Sequence, residues 1–263
     1  GLLAHTLVSK FGDHLPLYRQ ERIYARAGLA IPQSTLGAWV GICGVRLQPL
    51  VDALQEEVLS HGVLHADETP VQMLAPGNGK THRAYLWAYA PSEFEKMRAV
   101  IYQFAPSRSG EHARAFLGQW QGKLVCDDFA GYKASFDGGV TEIGCMAHSR
   151  QQRAGPILER LHAWLEEQRR RVPDGSAIAR AIDYSLKRWP ALVRYLDDPT
   201  VPIDNNHVER QIRPVALGRS NWLFAGSLRA GQRAAAVMSL IQSAKLNGHD
   251  PYAYLKDVLT RLP

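Results

Sequence analysis

The chain has 263 residues, of which 46% are hydrophobic and 21% charged, and its 31 basic side chains exceed its 25 acidic ones to give a formal net charge of +6. This is the composition of a globular protein long enough to bury a core without disulfides or a structural metal. Three cysteines, no leader and no apolar run of about 18 residues argue against export and membrane roles. We therefore expect a cytoplasmic protein. The basic excess favours polyanionic partners, and the alternative is that it serves only solubility.

The first sixty residues are predicted to be helical. The clearest evidence is an apolar stripe with helical spacing, formed by Leu47, Leu50, Val51, Leu54 and Val58. Three strand-like runs follow, Val63 to Leu74, Arg83 to Ala90 and Ala99 to Phe104. A turn sequence, Pro76-Gly77-Asn78-Gly79, joins the first two runs. These runs predict an antiparallel meander.

After the meander, strands alternate with helices. The pattern predicts a helix from about Glu111 to Trp120, a strand from Lys123 to Cys126, a short helical segment and a strand near Val140 to Met146. Alternation of this kind indicates parallel crossover connections. Three antiparallel strands followed by this alternation give the element order of the ribonuclease-H-like fold. We therefore predict an α/β protein with a ribonuclease-H-like mixed sheet flanked by helices.

The C-terminal half is predicted to be helical. Apolar spacing indicates helices around Ile157 to Leu165 and from Ala177 to Leu196. Asp204 is the expected N-cap of a further helix that Pro214 would end. A long helix from about Gln232 should stop at Asn247-Gly248, and Asp250-Pro251 should open the last one. We expect an N-terminal helical segment (1–60), a ribonuclease-H-like core (61–235) with a helical insertion at about 149–200, and a C-terminal helical segment (236–263).

Two aspartates are candidates for a metal site. Asp67 interrupts the first strand run, where Asp is unfavourable, and Asp127 follows the strand from Lys123 to Cys126. In the predicted order these strands are neighbours, so the two carboxylates would repel one another unless a cation or a shared proton neutralised them. Asp128 is the competing candidate, but alternation would turn it to the opposite face. Taken alone, Asp67 would be a solvated carboxylate on an edge strand.

Glu209 adds a third carboxylate on the helix that follows Asp204. Taken alone, it would form an exposed ion pair with Arg210. Together with Asp67 and Asp127 it predicts a pocket for Mg²⁺ or Mn²⁺, since hard cations prefer carboxylate oxygens. Such a pocket supports two-metal phosphodiester chemistry, in which one ion activates a hydroxyl and the other stabilises the leaving oxygen.

The stretch around Glu209 is rich in arginine and has aromatic residues between the arginines. Arg210, Arg213 and Arg219 are predicted to contact DNA phosphates, and Trp222 and Phe224 to be available for stacking on unpaired bases. The alternative is a solvated basic face with both aromatic side chains in the core.

Cys145 and His148 have a spacing that would supply half of a zinc site. No second pair of ligands is evident, and a buried cysteine near a hydrogen-bonded histidine is the commoner explanation. His65 and His207 each lie two residues from a proposed carboxylate, and we assign neither a role.

Several stretches of the chain resemble the transposases of the insertion-sequence-66 family. The resemblance covers nearly the whole chain, and the part around Glu209 is the most specific. The matching stretches are Gly1–His5, Asp13–Gln20, Leu64–Pro70, Asp127–Tyr132, Cys145–Arg150, Ile203–Arg210, Gly218–Ser227, Ala244–Gly248 and Asp250–Leu255.

The resemblance implies a DDE transposase of ribonuclease-H-like fold, with Asp67, Asp127 and Glu209 at the catalytic positions. Such an enzyme cuts the ends of a mobile element and transfers their 3′-hydroxyls to target DNA with Mg²⁺, and paired-end cutting implies a homo-oligomer on DNA. Two departures from the family are a start inside the transposase core and a shortened helical insertion after Arg150, so we expect a fragment. The rival hypotheses are an inactive DNA-binding remnant and a nuclease of the same fold.

Overall fold

The computed structural model shows a five-stranded mixed sheet with helices packed against it, and it describes residues 1–75, 77, 79–127, 129–144, 151–198 and 200–262, excluding the side chains of 151–154. The strands, in chain order, are β1 (Val63–Ala75), β2 (Lys80–Pro91), β3 (Ile101–Ala105), β4 (Lys123–Cys126) and β5 (Thr141–Gly144). The helices are α1 (Leu2–Phe11), α2 (Leu17–Arg26), α3 (Gln33–Arg46), α4 (Gln48–Leu59), α5 (Gly110–Leu117), α6 (Lys133–Asp137), α7 (Gln151–Arg171), α8 (Ala177–Lys187), α9 (Trp189–Val193), α10 (Asn206–Trp222), α11 (Leu228–Leu246) and α12 (Pro251–Arg261).

The strand order across the sheet is β3-β2-β1-β4-β5, so β1 is central. β1 pairs with β2, and β2 with β3, in antiparallel register. β4 runs parallel to both β1 and β5. The predicted meander, the parallel crossovers and the adjacency of the first and fourth strands are therefore confirmed.

The two faces of β1 bury different clusters because successive side chains alternate between them. Leu64 and Ala66 belong to a cluster that includes residues of α1, α4 and α5. Val71, on the other face, packs with Val208 and Ile212 of α10. Asp67 shares the face of Val71, whereas Glu68 shares the face of Ala66.

Helix α11 covers the outer edge of the sheet. The hydroxyls of Ser239 and Ser243 accept hydrogen bonds from the backbone N–H groups of Tyr102 (2.8 Å) and Val100 (3.1 Å). These bonds satisfy donors that an edge strand otherwise exposes. α11 ends as predicted, with Asn247 as C-cap and Gly248 at φ +73°.

Three helix boundaries differ from the prediction. Pro214 lies inside α10 and does not end it, although it removes one helical hydrogen bond. Burial of Val208 and Val215 on either side of the proline accounts for this continuity. The N-cap of α10 is Asn205, not Asp204, and the single helix expected over 177–196 is divided into α8, α9 and a 3-10 turn.

Other parts of the prediction are confirmed or stay open. α1 to α4 are helical as expected, and Asp250 caps α12 by accepting a hydrogen bond from the N–H of Ala253 at 2.7 Å. In the turn between β1 and β2, Gly77 and Gly79 have φ values of +91° and +60°, while Pro76 and Asn78 lie outside the described residues. No helix in the described part of the chain has the length and apolar character needed to cross a membrane. The domain boundaries stay a prediction.

Candidate active site

Asp67 and Asp127 lie at the same end of two neighbouring parallel strands. β1 and β4 pair up to His65 and Val125, and extending this register by two residues brings Asp127 level with Asp67. The carboxyl ends of parallel strands are where ligands commonly bind in open α/β sheets. Asp128, the competing candidate, lies outside the described residues.

Asp67 is a largely buried carboxylate surrounded by negative charge. Its pKa is raised from 3.8 to about 7, chiefly because burial disfavours the ionised form. The charges of Glu68, Glu209 and Asp127 raise the pKa further, and a hydrogen bond from the N–H of Glu68 (2.8 Å) lowers it. Asp67 forms no ion pair with any described residue. The structure thus brings all three predicted carboxylates into electrostatic contact.

Asp127 is more exposed than Asp67, and hydrogen bonding fixes one of its two carboxylate oxygens. Its side chain is 55% exposed, and Oδ1 accepts a hydrogen bond from the N–H of Phe129 at 3.0 Å. Oδ2 lies 3.8 Å from Nη2 of Arg108, at the outer limit of an ion pair. This carboxylate therefore remains accessible to a ligand.

An ion pair between Glu68 and Arg108, which the sequence analysis did not identify, lies beside Asp127. Glu68, with a side chain only 1% exposed, accepts a hydrogen bond from Nε of Arg108 (2.7 Å) and another from the hydroxyl of Tyr132 (3.1 Å). The guanidinium of Arg108 also packs over the ring of Phe129, 4.1 Å from its centroid. Arg108 therefore contacts both Glu68 and Asp127.

Asn205 connects the start of α10 to the centre of β1. Its Nδ2 donates to the carbonyl of Ala66 at 2.8 Å, so its Oδ1 is the acceptor for Nδ1 of His65, also at 2.8 Å. Burial lowers the pKa of His65 to about 4, so its ring is neutral at pH 7. These bonds attach the start of α10 to β1, one helical turn before Glu209. Glu209 itself is exposed.

The predicted DNA-binding residues differ in their surroundings. Arg210 and Arg213 lie on α10, and both are exposed. Arg219 is half-buried, and its Nη1 donates to the carbonyl of Pro70 (2.6 Å) and to the hydroxyl of Thr69 (3.2 Å). Trp222 is half-buried against the cluster on the α10 face of the sheet, whereas Phe224 is 41% exposed.

The carboxylates do not form a closed set of metal ligands in this structure. Among the described residues, no group of three or more His, Cys, Asp or Glu side chains is arranged to hold a metal ion. The donors nevertheless suit Mg²⁺ or Mn²⁺, which protein sites bind through one or two carboxylates together with substrate phosphates. Cys145 and His148 lie outside the described residues, so the zinc site stays a prediction.

Comparison with known proteins identifies the family. The sequence profile described as "Transposase IS66 family" matches residues 1–153 and 149–233, and that of the "IS66 C-terminal element" matches 239–263. The chain belongs to the IS66 transposase family. The resemblance inferred from the sequence is thereby confirmed.

The chain spans about three fifths of the length of the curated relatives that it matches. It is 34% identical to "Uncharacterized protein y4jD" and 35% identical to "Uncharacterized protein y4qI", both of Sinorhizobium fredii, with 99% of the chain and 62% and 59% of the relatives covered. The first alignment extends over 316 positions, more than the 263 residues of the chain. The IS66 profile matches in two parts that meet at 149–153, where the sequence analysis located a shortened insertion.

The functional-site candidates that the sequence analysis missed depend on contacts between distant parts of the chain. Arg108 reaches Glu68 across 40 positions, and Asn205 reaches His65 across 140. The only sequence signals were an acid next to Asp67 and an amide pair before Glu209. Neither signal indicates its partner.

Proposed function

We propose that this chain is the catalytic core of a DDE transposase of ribonuclease-H-like fold. It would cleave DNA at the ends of a mobile element and transfer the 3′ ends to target DNA. The observation that carries this proposal is the surroundings of Asp67, a largely buried carboxylate that lies near Asp127 and Glu209 without a neutralising cation among the described residues. The strand order β3-β2-β1-β4-β5 supports the assignment of the fold.

Asp67, Asp127 and Glu209 would hold Mg²⁺ or Mn²⁺, with oxygens of the DNA phosphate completing the ligand set. The bound ions supply activation of the attacking hydroxyl and stabilisation of the leaving oxygen. Glu68 and Arg108 orient Asp127, and Asn205 holds the helix that carries Glu209 in register with β1. The chain's own residues therefore provide the position of each carboxylate.

The decisive experiment is a strand-transfer assay with DNA that carries the ends of the element encoding this chain. Asp67→Asn, Asp127→Asn and Glu209→Gln should each abolish the joined product. Each substitution replaces a negatively charged metal ligand with a neutral side chain of nearly the same size. Asp257→Asn is the matched control, since Asp257 lies on α12 in an exposed ion pair with Arg261. Full joining by any of the three variants would remove that residue from the catalytic set.

The same assay separates the rival hypotheses. Cleavage by the unsubstituted chain without a joined product would support a nuclease of this fold. DNA binding with neither cleavage nor joining would support an inactive DNA-binding remnant.

DNA partners follow from the proposed activity. We expect Arg210 and Arg213 to contact phosphates, since both lie on the helix that carries Glu209. Changing both to glutamine should lower the slope of log affinity against log salt by roughly 2, because each neutralised phosphate contributes about 0.9 to that slope. An unchanged slope would contradict the assignment. Arg219 and Trp222 complete the proposed DNA surface, and paired-end cutting makes a homo-oligomer on nucleoid DNA the expected assembly.

A further inference from the structure

An apolar cavity of about 310 Å³ lies between α3, α10, α11 and the sheet. The apolar side chains that line it come from several elements and include Val71, Leu86, Phe104, Val215 and Met238. Its volume is at the lower end of the range of small-molecule sites, about 300–1,000 Å³. The cavity is therefore large enough for one flat ligand group.

The cavity and the candidate active site lie at different points along the same strand, β1. Val71 is on the same face as Asp67 and four residues further on, which corresponds to roughly 13 Å at about 3.3 Å per residue. Thr69 lies between them on this face and accepts a hydrogen bond from Arg219. A DNA strand that passes from the carboxylates towards the cavity would encounter the Arg219 guanidinium on the way.

The charged side chains that line the cavity are basic. Lys10 and Arg233 line it, whereas no Asp or Glu does so among the described residues. Neither Lys10 nor Arg233 forms an ion pair within the described part of the chain. Burial lowers the pKa of Lys10, whose ammonium lies 5.4 Å from the ring centroid of Phe11. An anionic ligand would compensate this positive charge.

Aromatic side chains form part of the cavity wall, and two of them lie at a loop that is hydrogen-bonded to β1. Trp222 and Phe224 line the cavity from the end of α10, and Phe11 lines it from α1. Leu223, between the first two, has a φ of +61°, a strained conformation for a leucine. The loop is fixed because Ala225 donates to the carbonyl of Gln72 (2.7 Å) and accepts from the N–H of Leu74 (2.9 Å).

We propose that this cavity binds one unstacked nucleotide of the DNA strand whose phosphate lies at the carboxylates. The base inserts among the aromatic and aliphatic side chains, and the flanking phosphates face Lys10 and Arg233. The aromatic walls suit any base, because every base has a π-face that stacks on an aromatic ring. The inference rests on the proposed function, since it requires DNA as the ligand.

Gly37 allows the cavity to be filled from its rim. It lines the cavity from α3, and a Cβ atom added there would meet nothing within 4 Å. Gly37 is exposed, so Gly37→Leu adds a side chain beside the cavity without a clash at its Cβ, and we expect this side chain to narrow the opening. Glycine is a poor residue inside a helix in any case. Gly155→Leu on α7 is the matched control, because Gly155 is also helical, has open space at its Cβ and does not line the cavity.

The test compares the affinity of the chain for a short oligothymidylate and for an abasic strand of the same length. We expect the unsubstituted chain and Gly155→Leu to prefer the thymidylate by about tenfold, the effect typical of one stacked base. Gly37→Leu should bind both strands equally. An equal preference in all three proteins, or no binding of thymidylate by the unsubstituted chain, would overturn the inference.

A photocrosslink locates the base directly. A strand with 5-iodouracil should crosslink to Trp222 or Phe224, and Gly37→Leu should lose this product. Crosslinks confined to other residues would overturn the cavity assignment. The strand-transfer activity and its dependence on Asp67 would be unaffected by that outcome, so the failure of this inference is distinguishable from failure of the proposed function.

Discussion

Asp67 and Glu68 are neighbours in sequence and burial raises the pKa of both carboxyl groups, yet only Glu68 has a cationic partner among the described residues. Glu68 points to the face of α5, where Arg108 and Tyr132 donate hydrogen bonds to it. Asp67 points to the face of α10, where Glu209 and Asp127 add negative charge. One acid has its counter-charge within the fold. The other has none among the described residues.

We propose that this difference separates a positioning group, Glu68, from a metal ligand, Asp67. A cation and hydrogen bonds stabilise a buried carboxylate. For Glu68, Arg108 and Tyr132 oppose the rise in pKa that burial causes. Leaving Asp67 uncompensated costs folding free energy that the protein could avoid with an asparagine. A cation from solution that bound Asp67 would remove that cost.

The largest expected effect is on the pH dependence of stability without metal. The pKa of Asp67 is raised from 3.8 to about 7. Between these values the native chain keeps a proton that the unfolded chain has released, so the free energy of unfolding decreases as pH rises. At about 1.4 kcal/mol per pKa unit, the decrease reaches up to about 4 kcal/mol above pH 7. Asp67→Asn should therefore be more stable than the unsubstituted chain at pH 8.

Denaturant unfolding in EDTA at pH 4 and pH 8 measures this effect. The stability gain from Asp67→Asn should be large at pH 8 and small at pH 4. Asp257→Asn should show no comparable gain at pH 8, since its carboxylate is exposed. If Asp67→Asn were less stable than the unsubstituted chain at pH 8, the claim that the Asp67 carboxylate lacks compensation would be wrong.

A smaller effect, a loss of stability, is expected when the partner of Glu68 is removed on the opposite face of the sheet. Arg108→Gln leaves the buried carboxylate of Glu68 with Tyr132 as its one remaining side-chain donor among the described residues, and should cost about 2 kcal/mol, as for other hydrogen bonds to charged groups. Arg261→Gln, which breaks an exposed ion pair, should cost about 0.5 kcal/mol. Urea unfolding at pH 7 compares them. Equal decreases in stability would mean that Arg108 does not compensate Glu68.

The sequence was sufficient to predict the sheet and the three carboxylates because both leave local signals. Strand-like runs and a turn sequence indicated the strands, and an aspartate inside the first run was a recognisable anomaly. The adjacency of β1 and β4 followed from element order, and the structure confirms it.

The rest of the candidate site depends on tertiary contacts that have no local signal. Pro214 predicted the end of a helix, but packing of Val208 and Val215 on the sheet continues α10 through it. Asn205 occupies the N-cap position without a side-chain capping bond, because its amide group bonds His65 and Ala66. Asp204 instead accepts a hydrogen bond from the N–H of Asn206 at 2.9 Å. The partners of Glu68 were likewise invisible until the strands and loops were assembled.

The most direct measurement is a calorimetric titration of Mn²⁺ into the whole chain at pH 8, with and without a DNA duplex. Asp67→Asn, Asp127→Asn and the Asp257→Asn control are titrated alongside. The account predicts binding to the unsubstituted chain and the control, loss of binding in both active-site variants, and weaker binding at pH 6, where Asp67 retains its proton. Equal Mn²⁺ binding by Asp67→Asn, or no binding by the unsubstituted chain even with DNA, would contradict it.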